Sequence, residues 1–383
     1  MDPEIQPSPD APRAVSRAAT ELMPERRGRR DLRGFFFGSR GLRAGWSVLI
    51  FFSLSGFPGH AGVFYYIAGN AFYLFHLVGV EDQATASSIF FSEMVAVLAM
   101  AGAAAVVAFV EGRRSLLAFN LTGPRRALNF LSGFAAGFLA LSALMAALDL
   151  GGWMRFGPAV LSGARIFDFG VEWAAAFLLV GLFEEGTFRC YLQFTLTRGI
   201  NFWWAAGANL LVCLSLAPSH NVHGVCGVYA AALLGLLPCW ILEKRKTPRS
   251  GFWQAAWVTS TLFASIHTTN PGENWIGIFA AALIGFVFCV SVYVTGSAWW
   301  AIGCHAAWDW AETFFYGTAD SGFVAPGHYL TTSPVGNALW SGGADGPEGS
   351  LLVLGVILLL LAALLMIYGR RKPSAPFAEE AGG

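Results

Sequence analysis

Three short patterns place ionisable side chains inside apolar stretches: Glu184-Glu185-Gly-Thr-Phe-Arg189, Phe263-Ala-Ser-Ile-His267 and His305-Ala-Ala-Trp-Asp309. A charge near the centre of a bilayer costs several kcal/mol by most estimates, so such groups mark function by default. On a helix Glu185 and Arg189 stand at i and i+4, one above the other, and form an ion pair that neutralises both. Glu184 is turned away by roughly 100° and keeps no such partner. His305 and Asp309 repeat the i, i+4 spacing. A free carboxylate and two imidazoles drawn into one pocket could act in acid–base catalysis, relay protons, or hold zinc through Glu184, His267 and His305 with a position open for water.

These patterns need helices that cross a membrane. Of 383 residues, 55% are hydrophobic and 13% charged, too apolar for soluble domains. Hydrophobic stretches of about the ~20 residues a crossing requires predict ten spans. They fall at about 46–68, 86–110, 127–148, 171–197, 202–218, 223–242, 252–267, 275–295, 298–316 and 350–368. The stretch 44–79, with Pro58, Gly59 and His60, is long for one crossing and short for two. Nine of the 24 Lys and Arg lie in residues 1–43; further clusters are Arg113–Arg114, Arg125–Arg126, Lys244–Arg249 and Arg370–Lys372. All of these fall on one side when the amino terminus is cytoplasmic, as the positive-inside rule prefers. The formal net charge of zero gives no sign of nucleic-acid binding. Residues 1–43 read as a disordered basic cytoplasmic arm, 44–150 as amino-terminal transmembrane helices, 318–349 as an external loop, 350–368 as a last span and 369–383 as a cytoplasmic tail. The six cysteines form no CxxC pair, so neither a disulfide framework nor a zinc knuckle is expected.

Taken in order and on separate spans, the three patterns match EExxxR, FxxxH and HxxxN/D. The chain here resembles the CPBP family of intramembrane proteases, which groups type II CAAX prenyl endopeptidases with bacteriocin-processing and abortive-infection-like enzymes. The segment 170–317 carries the likeness, and FRCYLQ, NPGENW and HAAWDW around the motifs look like bacterial members. The resemblance implies an all-α polytopic bundle and an endopeptidase. Glu184, helped by His267, would activate a water, while His305 and Asp309 would stabilise the oxyanion, or Asp309 would orient His305. Glu185, Arg189 and Phe263 would support the site. Substrates would be peptides or membrane proteins, prenylated or bearing a leader, in the bilayer. The expected location is the bacterial inner membrane, with both termini cytoplasmic.

The motif pattern is interrupted. Between Arg189 and Phe263 stand 73 residues, and GINFWWAA after Arg198 echoes SGFWQAA after Arg249. This suggests an inserted pair of helices at about 203–251 that ends its first member in Leu216-Ala-Pro-Ser-His220, an imperfect copy of the second motif. His220 and His223 therefore rival His267, and an inserted pair wedged between catalytic helices would abolish activity. Two other readings stay open: a non-catalytic immunity or scaffold protein on the same fold, and a proton-coupled transporter, against which Glu93 and Glu312 count as single acids. His60, His76 and His328 read as contact or loop residues, and Trp308 and Trp310 as packing groups.

Overall fold

A computed structural model describes residues 32–38, 41–56, 62–74, 85–113, 115–216, 222–247 and 249–370. The basic arm up to residue 31, the tail beyond residue 370, and His60, His76 and His220 lie outside them, as does the side chain of His223.

The protein is an all-α helical membrane bundle. Its helices are α1 (Ala44–Ser55), α2 (Val63–Leu74), α3 (Ala86–Val110), α4 (Arg126–Leu150), α5 (from Ala164–Glu185), α6 (Phe202–Leu216), α7 (Val222–Lys244), α8 (Ser250–His267), α9 (Trp275–Thr295), α10 (from Trp299–Asp309) and α11 (Leu351–Tyr368). Among the described residues six helices are long and apolar enough to cross a membrane: α3, α4, α5, α7, α9 and α11. Helix α5 runs on to Thr197, 34 residues in all, and begins several residues before the span read from the sequence. In its last third and at the end of α10 the winding loosens into π-helix, over Gly186–Leu192 and Trp310–Tyr316. Both π segments start directly after a motif carboxylate, where this winding often accompanies function.

The single span expected at 46–68 is instead two helices. Ser47 Oγ donates to Glu111 Oε1 at 2.9 Å, Gly102 faces the Phe64 ring, and Gly69 faces Val95. Positions rising through α1 and α2 thus meet positions falling along α3, so the pair follows one path in two pieces. Gly56, at φ 83°, ends α1 in the left-handed conformation that a residue with a Cβ resists.

The tightest helix crossing is α4 against α10. A Cβ on Gly133 or Gly137 would collide with the carbonyls of Trp300 and Cys304, and one on Gly303 with that of Phe130. Gly133-Phe-Ala-Ala-Gly137 is a GxxxG pair, which lets backbones approach where lipid supplies no hydrophobic drive. This contact fixes the height of His305, the residue after Cys304. Helix α5 is tied to α8 by polar contacts: Gln193 Nε2 donates to the Phe252 carbonyl at 2.9 Å, and Thr259 Oγ1 donates to Gln193 Oε1 at 3.2 Å.

Helices α6 and α7, the pair read from the sequence as an insertion, pack against α8 and α9. Gly227 of α7 lies against the Trp275 carbonyl of α9, and Gly235 lies against the Trp257 ring of α8. The segment after α10 is more than a loop, because Met154–Phe156 (β1) pairs antiparallel with Thr332–Pro334 (β2).

Candidate active site

Glu185 and Arg189 are both fully buried. Arg189 Nη1 donates to Glu185 Oε1 at 3.2 Å, and Nε lies 3.2 Å from Oε2. The guanidinium sits 4.5 Å from the Phe263 ring centroid and 5.4 Å from that of Phe288, so aromatic faces cover the cation where water is excluded. Asn120 Nδ2 donates to the Arg189 carbonyl at 2.8 Å, satisfying a backbone group within the π segment. Phe263 also packs beside the imidazoles, 4.7 Å from His267 and 6.1 Å from His305 by ring centroids.

Glu184, His267, His305 and Asp309 all line one cavity of about 250 Å³. His267, the last residue of α8, has Nδ1 2.8 Å from the Phe263 carbonyl. That bond fixes Nδ1–H as donor and leaves Nε2 for the cavity. His305 Nδ1 lies 2.9 Å from Glu185 Oε1, and Nε2 lies 3.6 Å from Glu184 Oε2 and 3.5 Å from Asp309 Oδ2. The shortest orienting contact on His305 is therefore to Glu185, not to the Asp309 of its own helix. Among the described residues, none from α6 or α7 lines the cavity.

Several neighbours had no distinct signal in the sequence. Phe288 stacks on His305 with centroids 5.8 Å apart, and nothing separates it in the sequence from the other phenylalanines. The acids assigned to an external loop turn back onto the cavity: Asp320 and Glu348 line it together with Glu273, Asn270 and Ser321. Burial, and then the nearby carboxylates, push Glu348 and Glu273 above the ordinary carboxylate range. Asp320 is also raised, because its burial outweighs the Thr313 hydroxyl that donates to it. Glu312 is not single, since its carboxylate converges with those of Asp320 and Glu348. Glu93 is close enough to Glu184 to feel its charge.

Residues 167–249 and 241–311 match the family model of type II CAAX prenyl endopeptidases, Rce1-like. Over residues 167–311 the chain is similar to this family. The match carries all three motifs and breaks into two overlapping pieces within the segment read as an insertion. No curated protein and no solved structure matches the chain. The family is one of membrane endopeptidases.

Zinc on Glu184, His267 and His305 would need their donor atoms about 2.0–2.2 Å from one centre. They are not gathered in that way; the donors that converge within 4.8 Å of one another, among the described residues, are those of Glu312, Asp320 and Glu348.

Proposed function

We propose that the chain is an intramembrane endopeptidase that uses Glu184 to activate water against a peptide bond of a membrane-associated substrate. One observation carries this reading: helices α5, α8 and α10 deliver Glu184, His267 and His305 to a single cavity, while Glu185 is already engaged by Arg189 and His305. Glu184 Oε2 has no hydrogen-bond partner of its own, so it is the carboxylate that can accept a proton from water. His267 Nε2 helps to hold that water. His305, with Nδ1 held by Glu185, presents Nε2 to the oxyanion as it forms. Asp309, 3.5 Å from that nitrogen, biases its orientation. The carbonyl gains the hydroxyl, the C–N bond breaks, and Glu184 returns the proton to the leaving amine.

The cavity wall includes the loop residues Asn270, Glu273, Asp320 and Ser321. They lie at the helix ends opposite to Arg113, Arg198 and the Lys244–Arg249 cluster. With those basic ends in the cytoplasm, cleavage takes place near the outer face of the inner membrane. Leader or tail segments of membrane proteins suit such a site.

The test is cleavage of a fluorogenic library of CAAX-type and leader-type peptides by detergent-purified protein. Wild type is compared with Glu184→Ala and His305→Ala, with and without a strong chelator. Loss in both variants supports the proposal, and loss on chelation of the wild type would instead assign the water to a metal. A folded wild type that cleaves nothing would favour a scaffold or immunity role.

A further inference from the structure

Beside the motif residues, the carboxylates of Glu312, Asp320 and Glu348 bring one oxygen each within 4.8 Å of the others. They come from three places in the chain: the π segment ending α10, the turn after it, and the short helix Pro347–Gly349 that leads into α11. Two are aimed by donors. Trp308 Nε1 donates to Glu348 Oε1 at 2.7 Å, and Thr313 Oγ1 donates to Asp320 Oδ2 at 2.9 Å. Such contacts orient a carboxylate and leave its second oxygen to face a ligand. Glu312 differs from both. It is 0% exposed, and neither of its oxygens has a hydrogen-bond partner. Its charged neighbours are the carboxylates of Glu348, Asp320, Asp309 and Asp345. A buried carboxylate with no donor is costly unless a cation or a proton compensates it.

We infer that Glu312, Asp320 and Glu348 bind one hard divalent cation, Ca²⁺, beside the cavity. An all-oxygen donor set selects Ca²⁺, Mg²⁺ or Mn²⁺ over softer metals. Three protein carboxylates in one place suit Ca²⁺, which takes six to eight oxygens in flexible geometry, better than Mg²⁺, which keeps several of its waters and is bound through one or two carboxylates. Asp320 and Glu348 line the cavity, which gives the ion its path, with Glu312 behind them. The ion ties the end of α10 to the start of α11 and cancels charge two turns from His305. Such a site exists whether or not the cavity cleaves peptides.

The test uses full-length protein in detergent, stripped with chelator and titrated with Tb³⁺, whose emission is excited through the adjacent Trp308, and then with Ca²⁺. Saturable emission displaced by Ca²⁺ far better than by Mg²⁺, together with a higher melting temperature in Ca²⁺, is expected. Glu312→Gln should weaken Ca²⁺ binding by about tenfold or more. Asp320→Asn, on the cavity wall, should do the same and serves if the buried variant does not fold. No saturable signal from folded wild type, or an unchanged signal in a folded variant, overturns the site and leaves the carboxylates holding protons.

Discussion

His305 Nδ1 and Arg189 Nη1 share one acceptor, Glu185 Oε1, at 2.9 Å and 3.2 Å. The second glutamate of the first motif thus joins helix α5 to helix α10 as well as neutralising its own arginine. Neighbouring carboxylates in one sequence pair take different tasks because one points into the protein and the other into the cavity.

This division sets the first expectation. Glu185→Gln leaves Arg189 buried without its charge partner, a loss of about 3–5 kcal/mol for a broken buried pair. Glu184→Gln, facing the cavity, should change stability by less than about 1 kcal/mol. Melting of the two variants in the same detergent, followed by tryptophan fluorescence, measures the difference. Equal destabilisation would show that the two carboxylates do not divide their roles in this way.

A second expectation concerns the α4–α10 crossing. Gly137→Leu would drive a side chain into the Cys304 carbonyl, so the helices must part. Overpacking of this kind costs about 1–3 kcal/mol. Because His305 follows Cys304, the substitution should also lower cleavage by more than the loss of folded protein explains. Activity per folded molecule, set against that of Gly355→Leu, whose added Cβ meets open space, separates the two effects.

Much of this was legible beforehand, and the exceptions have physical causes. The motif helices, their order and the Glu185–Arg189 pair follow from i, i+4 geometry and from the cost of charge in lipid. The link from Glu185 to His305 is not legible, because it depends on how two helices 120 residues apart in sequence are rotated about their axes. The GxxxG pair at Gly133 and Gly137 was a readable signal that hydropathy alone passes over. Asp320, Asp345 and Glu348 resemble the acids of any exposed loop, and only the β1–β2 pairing and the return of the chain to α11 reveal that Asp345 is buried and that the other two are half-buried on the cavity wall.

A third expectation concerns acid. Glu111 caps α3 and accepts from Arg198 Nη2 at 3.0 Å, from Arg113 Nε at 2.7 Å and from Ser47 Oγ at 2.9 Å. Although burial opposes it, Arg198 foremost holds this carboxyl below its ordinary value. A depressed value means that the contribution is complete above the ordinary carboxylate range and is lost as pH falls through the depressed one. The melting temperature of wild type should therefore exceed that of Glu111→Gln at neutral pH, with the gap closing below about pH 4. A gap that persists in acid would remove the charge from the explanation.

The Glu273–Asp345 contact titrates in the opposite sense. Both acids are buried, and burial followed by mutual repulsion raises Glu273, while burial raises Asp345 against the Asn274 amide that donates to it. Raised values favour the protonated form, so the stability of this contact is complete below the ordinary carboxylate range and declines as pH rises through the raised values. Hydrogen exchange at Asn274 and Ile276 should quicken on going from pH 5 to pH 8 beyond its intrinsic pH dependence. Glu273→Gln, which cannot ionise, should flatten that excess, and an unchanged excess would exclude Glu273 as its source.

The side on which the cavity opens is the last expectation. Arg113 and Arg198 meet on Glu111 at one end of the bundle, beside the start of α1. Ser321 stands on the cavity wall at the other end, in a segment with no lysine or arginine from Ser321 to Tyr368. If the basic end is cytoplasmic, a membrane-impermeant thiol reagent added to intact cells should label Ser321→Cys in a Cys226→Ala background, which removes the exposed native cysteine. A substrate peptide held in the cavity should slow that labelling. Labelling that requires permeabilised cells would place the mouth in the cytoplasm and make soluble or prenylated cytoplasmic tails, rather than exported leaders, the substrates to test.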